Sequence, residues 1–226
     1  MFVNFSRANH CCVGNCEHDF LSEHNLIFIV ASCDVKAKEE ILFRYVIAAE
    51  SPEERKSRLN TGWGFVCDCR ACNNADVEAQ IELVKELDGC LYHHLKSGNV
   101  EECLHVGHRL IELCGGLGFI SHRHYSRIYL LLFQAAITKK ENYKIAVEFM
   151  KLAHQNILDH FGTEECDDVR KLNKFLLNVK SHPNYGLLDP NQGTIEMVID
   201  TLGLGVTIGI ILLGALLLTI LLGRNG

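Results

Sequence analysis

The sequence predicts an α+β fold: a β-rich N-terminal region with a cysteine cluster, then an α-helical region, then a C-terminal transmembrane helix. Short β-branched stretches come first, apolar residues next recur at helical spacing, and the last part of the chain is apolar and uncharged. These patterns divide the chain into the segments 1–50, 51–74, 75–181, 182–200 and 201–223.

The N-terminal region contains predicted strands and a short helix. Residues 25–32 alternate and are rich in β-branched side chains, and residues 40–45 form a second such stretch. Ser51 is followed by Pro52 and by acidic residues, which is typical of a helix N-terminus. We therefore predict strands at both stretches and a helix from Pro52 to about Asn60.

Residues 75–181 carry apolar side chains at the spacing that places them on one face of a helix. The first helix is predicted from Asp76 to Leu95. Further helices follow, and their apolar stripes are Val100, Cys103, Leu104, Gly107, Leu110, Ile111 and Cys114; Tyr125, Ile128, Tyr129, Leu132 and Ala136; Ala146, Phe149, Met150, Ala153 and Ile157; and Val169, Leu172, Leu176 and Val179. Short Gly- and Asn-containing turns between them predict antiparallel helical hairpins.

One helix pair has the size of a tetratricopeptide-like unit. It consists of His122–Thr138 and Tyr143–His160, with the small Ala146 where the helices would approach closely. A helical module of this kind is a candidate surface for a protein partner. Residues 182–200 contain prolines and turn-forming residues, which predicts a linker.

Residues 201–223 carry no charged side chain. As a helix they would extend about 34 Å, which is enough to cross a bilayer hydrocarbon core of about 30 Å. Only Arg224, Asn225 and Gly226 follow them. We therefore expect a C-terminal, single-pass membrane anchor that leaves the N-terminal region on the cytosolic side.

The composition excludes one class of function and indicates a compartment. The formal net charge is -6, whereas binding to nucleic-acid phosphates needs clustered Lys and Arg, so we expect no direct nucleic-acid contact. The chain has Cys 11 times, an odd number, and no cleavable signal peptide opens it. We therefore expect reduced thiols, as in the cytosol or nucleus.

A dense group of cysteines, Cys67, Cys69 and Cys72, indicates a metal site. Thiols this close pair poorly with one another in disulfides, but their sulfurs can converge on one ion. A closed structural zinc site takes four ligands, so a further one must come from elsewhere in the chain. The upstream candidates are Cys11, Cys12, Cys16 and, as a competing ligand, His10.

Motifs in three places resemble those of SET-type methyltransferases. Residues 9–16 resemble Asn-His-Ser-Cys-x-Pro-Asn, and residues 39–45 resemble Gly-Glu-Glu-[Ile/Leu/Val] followed by Tyr. Residues 64–72 resemble the post-SET motif Phe-x-Cys-x-Cys-x-x-Cys. Their order and spacing are most similar to the SET-and-MYND-domain (SMYD) methyltransferases, which also have a helix like Pro52–Leu59 between motifs and a tetratricopeptide-like domain after them.

The resemblance implies a protein-lysine methyltransferase that uses S-adenosylmethionine as cofactor. Asn9 and His10 match the pair that contacts this cofactor, and Phe65 matches the aromatic residue that packs on it. Tyr45 matches the catalytic tyrosine beside the departing methyl group, where it also contacts the cofactor. Trp63 lies where some family members carry another aromatic residue. The substrate would be a lysine side chain of a protein.

The resemblance also selects the fourth zinc ligand. Cys12 matches the motif cysteine, which gives the ligand set Cys12, Cys67, Cys69 and Cys72. In this arrangement zinc takes no part in catalysis. It holds the Phe65 segment over the cofactor.

The sequence departs from the family pattern at several positions. The family's Ser is Cys11 here, its Pro is Gly14, and the Gly before Glu39 is Lys38. A lysine in a left-handed turn costs about 1 kcal/mol, so we expect that turn to be rearranged. The glycine-rich cofactor loop and the first half of the SET fold would need residues before Met1, so we expect an incomplete cofactor site.

These observations leave different hypotheses for function. The chain is a portion of a SMYD-like methyltransferase, or a non-catalytic, zinc-containing interaction module tethered to a membrane through 201–223, or a different zinc scaffold with similar motifs. The family resemblance by itself indicates the cytoplasm and nucleus, whereas the apolar C-terminal segment predicts a membrane.

Overall fold

The computed structural model describes residues 5–21, 24–46, 50–118 and 120–189. Most of the described chain is helical, and its strands are few and short. The strands are β1 (Asn9–His10), β2 (Cys16–Leu21), β3 (Leu26–Ala31) and β4 (Leu42–Phe43). The helices are α1 (Pro52–Trp63), α2 (Arg70–Asn73), α3 (Ala75–Lys96), α4 (Val100–Leu117), α5 (His122–Ala136), α6 (Tyr143–Phe161) and α7 (Asp167–Leu177).

The strands form small sheets. β1 pairs with β4 in parallel, and β2 pairs with β3 antiparallel, with Cys16 opposite Ala31 and Leu21 opposite Leu26. The β-rich region of the predicted fold class is therefore wrong. One reason is local: the side chain of Asn15 donates to the carbonyl of Glu40 (2.9 Å) and accepts from the N–H of Leu42 (2.9 Å). These backbone groups bond to a side chain and are not available for pairing between strands. The strand predicted over 40–45 is therefore shorter.

The transmembrane helix in the predicted fold class is also corrected, and with it the single-pass membrane localisation. Within the described ranges, no helix is long and apolar enough to cross a membrane. The longest of these helices, α3, carries charged residues such as Glu82, Lys85 and Glu86 on its exposed side. Residues 201–223, on which the membrane prediction depended, lie outside the described residues.

The helix ends follow from their capping residues. Ser51 accepts a hydrogen bond from the N–H of Glu54 (3.3 Å), and the Glu54 carboxylate accepts one from the N–H of Ser51 (2.9 Å). This capping box starts α1, and Gly64 ends it with a positive φ of 76°. Asn74 caps α3 in the same way as Ser121 caps α5. Such local signals explain why the helices start near their predicted positions.

The core of the helical region lies between neighbouring helices from α3 to α7. The stripes predicted from the sequence face it, and Leu110, Ile128, Leu132, Met150 and Ile157 are fully buried there. Where α4 approaches α5, a Cβ on Gly107 would lie 2.3 Å from a methyl carbon of Leu132. Glycine at that position therefore permits the close approach of the two helices.

The β2–β3 pair docks onto the end of α6 and the start of α5. Asp19 forms an ion pair with Arg123 and lies 3.3 Å from Nε2 of the buried His160. Phe28 packs against Phe161, with ring centroids 5.8 Å apart. Polar and aromatic contacts thus hold the N-terminal region on the helical region.

Residues 182–189, the first part of the predicted linker, pack against the turn between α5 and α6. Gly186 donates its N–H to the carbonyl of Ile137 (2.9 Å), and Leu188 donates to Thr138 (2.9 Å). A salt bridge of 2.8 Å joins Asp189 to Lys140. This segment is therefore an ordered part of the helical region.

Candidate metal centre and adjoining aromatic cluster

Four sulfur atoms from two distant segments meet in the N-terminal region. They belong to Cys12, Cys67, Cys69 and Cys72, called the cysteine cluster below, and lie within 4.8 Å of one another. The Sγ atom of Cys12 is 3.9 Å from that of Cys67 and 3.5 Å from that of Cys72. Three of these side chains are buried. Within the described ranges, this is the group of ligand residues that could hold a metal ion.

Local backbone structure brings Cys69 and Cys72 together. The short helix α2 begins after Cys69, and the N–H of Cys72 donates to the carbonyl of Cys69 (2.9 Å). This single turn places both side chains on one side of the chain. Cys12 follows strand β1, which pairs with β4. In this position its sulfur lies close to those of Cys67 and Cys72.

The geometry fits a structural zinc ion. With zinc–sulfur bonds of about 2.3 Å in a tetrahedron, neighbouring sulfurs lie about 3.8 Å apart. The two distances from Cys12 lie close to this value. Four thiols without a carboxylate or water ligand are typical of closed structural zinc sites.

The thiols of the cluster influence one another strongly. A hydrogen bond to Cys69 raises the pKa of Cys12, and a hydrogen bond to the same sulfur raises the pKa of the neighbouring Cys11. The pKa of Cys69 is lowered because it accepts both hydrogen bonds. Burial raises the pKa of Cys67 to about 11. A bound cation would replace the protons that these sulfurs share, because thiolates are the metal ligands.

A buried guanidinium lies beside the cysteine cluster. Arg55 of α1 has a fully buried side chain, and its Nη2 lies 3.9 Å from Sγ of Cys72 and 3.2 Å from the carbonyl of Ala71. The same nitrogen forms a 2.8 Å salt bridge with Glu78 of α3. Burial lowers the pKa of Arg55, but the hydrogen bonds to Glu78 and Cys72 outweigh this effect and raise the pKa overall. A permanent positive charge therefore faces the sulfurs.

His10 connects the cysteine cluster to a group of aromatic side chains. Its Nδ1 accepts a hydrogen bond from the N–H of Tyr45 (3.0 Å), so in the neutral ring the proton is on Nε2. Nε2 lies 3.3 Å from Sγ of Cys12 and can donate to it. Burial lowers the pKa of His10, which favours this neutral form.

The aromatic cluster consists of His10, Tyr45, Trp63 and Phe65. The ring of Tyr45 lies 5.2 Å from that of His10, 5.2 Å from Trp63 and 6.5 Å from Phe65, measured between centroids. His10 and Phe65 are 5.9 Å apart. Trp63 is half-exposed, at 52 %, and forms the outer side of the group. The predicted site residues His10, Tyr45 and Phe65 are therefore neighbours in the structure.

The polar groups of two predicted site residues make internal hydrogen bonds. The hydroxyl of Tyr45 donates to the carbonyl of Ala8 (2.5 Å), and burial raises the pKa of this tyrosine. Asn9 is exposed, and its side chain donates to Glu40 (2.6 Å), away from the aromatic cluster. The structure thus brings together the aromatic members of the predicted site but turns the side chain of Asn9 elsewhere.

Comparisons with known proteins find methyltransferases that are similar to part of the chain. The chain is 45% identical over 69 residues to a methyltransferase of Gibberella zeae, covering 30% of this chain and 9% of that protein. It is 36% identical over 75 residues to the protein-lysine N-trimethyltransferase SMYD5 of Homo sapiens, covering 32% and 18%. The histone-lysine N-methyltransferase set5 of Schizosaccharomyces pombe is 36% identical over 73 residues, covering 32% and 23%.

The chain resembles the SET-domain methyltransferases. The resemblance seen in the motifs is therefore confirmed. No family model matches the chain. The chain spans less than a third of the length of the curated relatives named above.

Two residues of the SET-like region, residues 5–74, have structural roles that the motifs did not assign. Asn15 also donates to Glu39 (3.1 Å) and so links the motif loop to the turn at Lys38, which keeps a left-handed φ of 70°. The expected rearrangement of that turn is not seen. Arg55 lies within the predicted helix Pro52–Leu59, for which the sequence predicted no buried charge. An arginine in the apolar spacing of α1, four residues before Leu59, was the signal for its burial.

Proposed function

We propose that this chain forms part of the site of an S-adenosylmethionine-dependent protein-lysine methyltransferase, with a structural zinc ion held by the cysteine cluster. The observation that carries the proposal is the position of His10. Its ring contacts Cys12 through one nitrogen and the backbone of Tyr45 through the other. A zinc site and a candidate methyl-transfer site are therefore adjacent and share one residue.

The aromatic cluster suits the transfer of a methyl group to an amine. When bound, S-adenosylmethionine would supply an electrophilic methyl group. Half-buried rings of Tyr45 and Phe65 exclude water on this side of the site, and a neutral amine is favoured in such surroundings because desolvation disfavours its charged form. The Tyr45 hydroxyl, whose pKa is raised by burial, stays protonated and donates its proton to Ala8, so its oxygen can orient the amine by accepting an N–H.

In this proposal the cysteine cluster has a positioning role. Phe65 lies two residues before Cys67, so fixing the thiols fixes the Phe65 ring against His10. Asn9 and His10 remain proposed cofactor contacts. Because the ring nitrogens of His10 already face Cys12 and Tyr45, its contact with the cofactor would use its backbone or the face of its ring.

Binding of S-adenosylmethionine to the full chain tests this proposal. Isothermal titration calorimetry on the zinc-loaded protein should detect binding that is weakened about tenfold or more by Phe65→Ala, since that variant removes a stacking surface. Phe175→Ala, on the distant helix α7, is the matched control and should bind normally. No heat of binding at millimolar cofactor would rule out an enzymatic site in this chain.

A second function is favoured by the internal hydrogen bonds of the site. Both the Tyr45 hydroxyl and the Asn9 amide are already satisfied, by Ala8 and Glu40. A chain with these groups engaged is suited to a non-catalytic, zinc-stabilised module that binds a protein partner through helices α3 to α7. A chain that is loaded with zinc but shows no heat of S-adenosylmethionine binding in this titration would select this function.

A further inference from the structure

Arg55 is the charged side chain most closely enclosed with the cysteine cluster. Its guanidinium faces Cys72 on one side and Glu78 on the other, and its Nη1 donates to the backbone carbonyl of Glu50. The contacts come from α1, α2 and α3, so the residue lies where the SET-like region joins the helical region. The family resemblance covers the helix that carries Arg55 but gives this arginine no role.

The charge of the proposed zinc site explains why a cation is needed there. Four thiolates around a divalent zinc ion carry a net charge of about -2, and an uncompensated charge of this size is costly to bury. The neutral His10 supplies one N–H to the sulfur of Cys12 but no charge. Arg55 supplies both a charge and an N–H to the sulfur of Cys72. Groups that donate to metal ligands commonly tune metal affinity.

We propose that Arg55 is the buried counter-cation of the zinc site, which strengthens zinc binding and, through Glu78, ties the site to helix α3. This inference rests on the proposed zinc site. Arg55 acts through the thiolates and is therefore a positioning residue. Its pairing with Glu78 means that the ion-binding segment and the first long helix share one electrostatic contact, at 2.8 Å.

A purely structural role for Arg55 makes a different prediction. If the guanidinium only packs α1 against α3, then removing Glu78 should weaken zinc binding as much as removing Arg55. If Arg55 acts as a counter-cation, Glu78→Gln removes a competing negative charge near the thiolates. Zinc binding by the folded protein should then be unchanged or tighter, even where the fold is less stable.

The experiment is a zinc competition titration of the full chain against a chromophoric chelator. The variants are Arg55→Met, Arg55→Lys and Glu78→Gln. Arg58→Met is the matched control, because Arg58 lies on the same helix but pairs with Glu50 and is half-exposed. Cobalt substitution provides a second measurement, since the thiolate-to-cobalt charge-transfer bands report hydrogen bonds and charge at the sulfurs.

We expect Arg55→Met to weaken zinc binding about tenfold to a hundredfold and to shift the cobalt charge-transfer bands. Arg55→Lys should recover part of the affinity because it keeps the charge, and Arg58→Met should match the unmodified chain. If Arg55→Met does not fold, Arg55→Lys and Glu78→Gln carry the test through their affinities and spectra.

Three results would overturn the inference: unchanged zinc affinity in Arg55→Met, equal losses in Arg55→Met and Glu78→Gln, or unshifted cobalt bands in every folded Arg55 variant. Failure of the zinc site itself would look different. In that case the unmodified chain would bind no zinc, or Cys72→Ser would bind it normally.

Discussion

The SET-like region, residues 5–74, and the helical region, residues 75–189, are held together in different ways. In the helical region, apolar side chains from successive helices form a continuous core. In the SET-like region, cysteines make up a large share of the buried apolar residues, and short strands are joined by side-chain hydrogen bonds such as those of Asn15. Apolar packing thus dominates in the helical region, whereas polar contacts and the cysteine cluster have a larger share in the SET-like region.

This difference shows where each kind of perturbation should act. Removing a ligand or a charge should loosen the SET-like region and leave the helices in place. Removing apolar volume from the helical core should loosen the helices and leave the SET-like region in place. The two regions meet through apolar contacts within one shared cluster of buried residues, and through ion pairs that join Asp19 to Arg123 and Arg55 to Glu78.

The largest effect should follow removal of zinc by a chelator. Zinc contributes on the order of 10 kcal/mol of apparent binding energy in small zinc-dependent folds. Amide hydrogen exchange should therefore become much faster in residues 8–16 and 64–74, while α5 and α6 keep their protection. Mass spectrometry of the exchanged peptides measures both. Equal loss of protection in α5 and α6 would contradict the separation of the two regions.

Truncation of a core side chain should destabilise the helical region and leave zinc binding unchanged. Leu132→Ala removes a fully buried side chain of α5 and should lower the free energy of unfolding of the helical region by about 3 kcal/mol. Urea denaturation followed by circular dichroism measures this change. The matched control is Leu177→Ala, whose side chain is 82 % exposed and should have little effect. Zinc affinity should stay the same in both variants.

The docking contact between the regions should depend on pH. Burial raises the pKa of Asp19, but the His160 hydrogen bond and the Arg123 charge outweigh it, so the pKa in the folded state is lowered. Its contribution to stability is therefore present above the unfolded pKa of about 3.9 and is lost as pH falls through the folded value.

Asp19→Asn should consequently cost about 2 kcal/mol near neutral pH, because it removes the carboxylate charge that faces the part-buried Arg123 and the buried His160. The difference from the unmodified chain should shrink in acid, which unfolding curves at several pH values can measure. Asp167→Asn is the control, since that carboxylate is exposed and pairs with Arg170 of its own helix. A constant difference at all pH values would show that the charge of Asp19 is not what stabilises the contact.

The smallest effect concerns the turn at Lys38. A lysine with φ of 70° is strained, so Lys38→Gly should stabilise the SET-like region by about 0.5–1 kcal/mol. Lys36→Gly, two residues earlier, serves as the control and should destabilise instead because its backbone is not in this conformation. Thermal unfolding of the zinc-loaded chain would compare the two variants, and destabilisation by both would show that the turn is unstrained.

The sequence was a better guide to the helical region than to the SET-like region. Helices depend on local spacing and on caps such as Ser51 and Asn74, both of which are visible in a short window. Strand β2 was missed because it carries Glu17 and Asp19 on the face that docks, so its apolar alternation is interrupted. It is held by pairing with β3 and by contacts of Asp19 with α5 and α6 that are distant in sequence.

The candidate site was likewise predicted only in part from local sequence patterns. Three clustered cysteines were visible locally, but the choice among upstream ligands required the family resemblance. The structure groups Cys12 with them, whereas Cys16 is buried elsewhere near Cys33. The spacing of Arg55 and Leu59 indicates a buried arginine, but its partners on α2 and α3 depend on how the helices pack, which no short-range pattern encodes.

The central claim is that one metal ion joins residue 12 to residues 67–72. The zinc content of cysteine variants tests this claim most directly. Inductively coupled plasma mass spectrometry should find about one zinc per unmodified chain, and much less in Cys12→Ser and Cys72→Ser. Cys16→Ser and Cys103→Ser, which alter buried thiols outside the cluster, should retain it. Full zinc content in Cys12→Ser, with loss in Cys16→Ser, would contradict the ligand set.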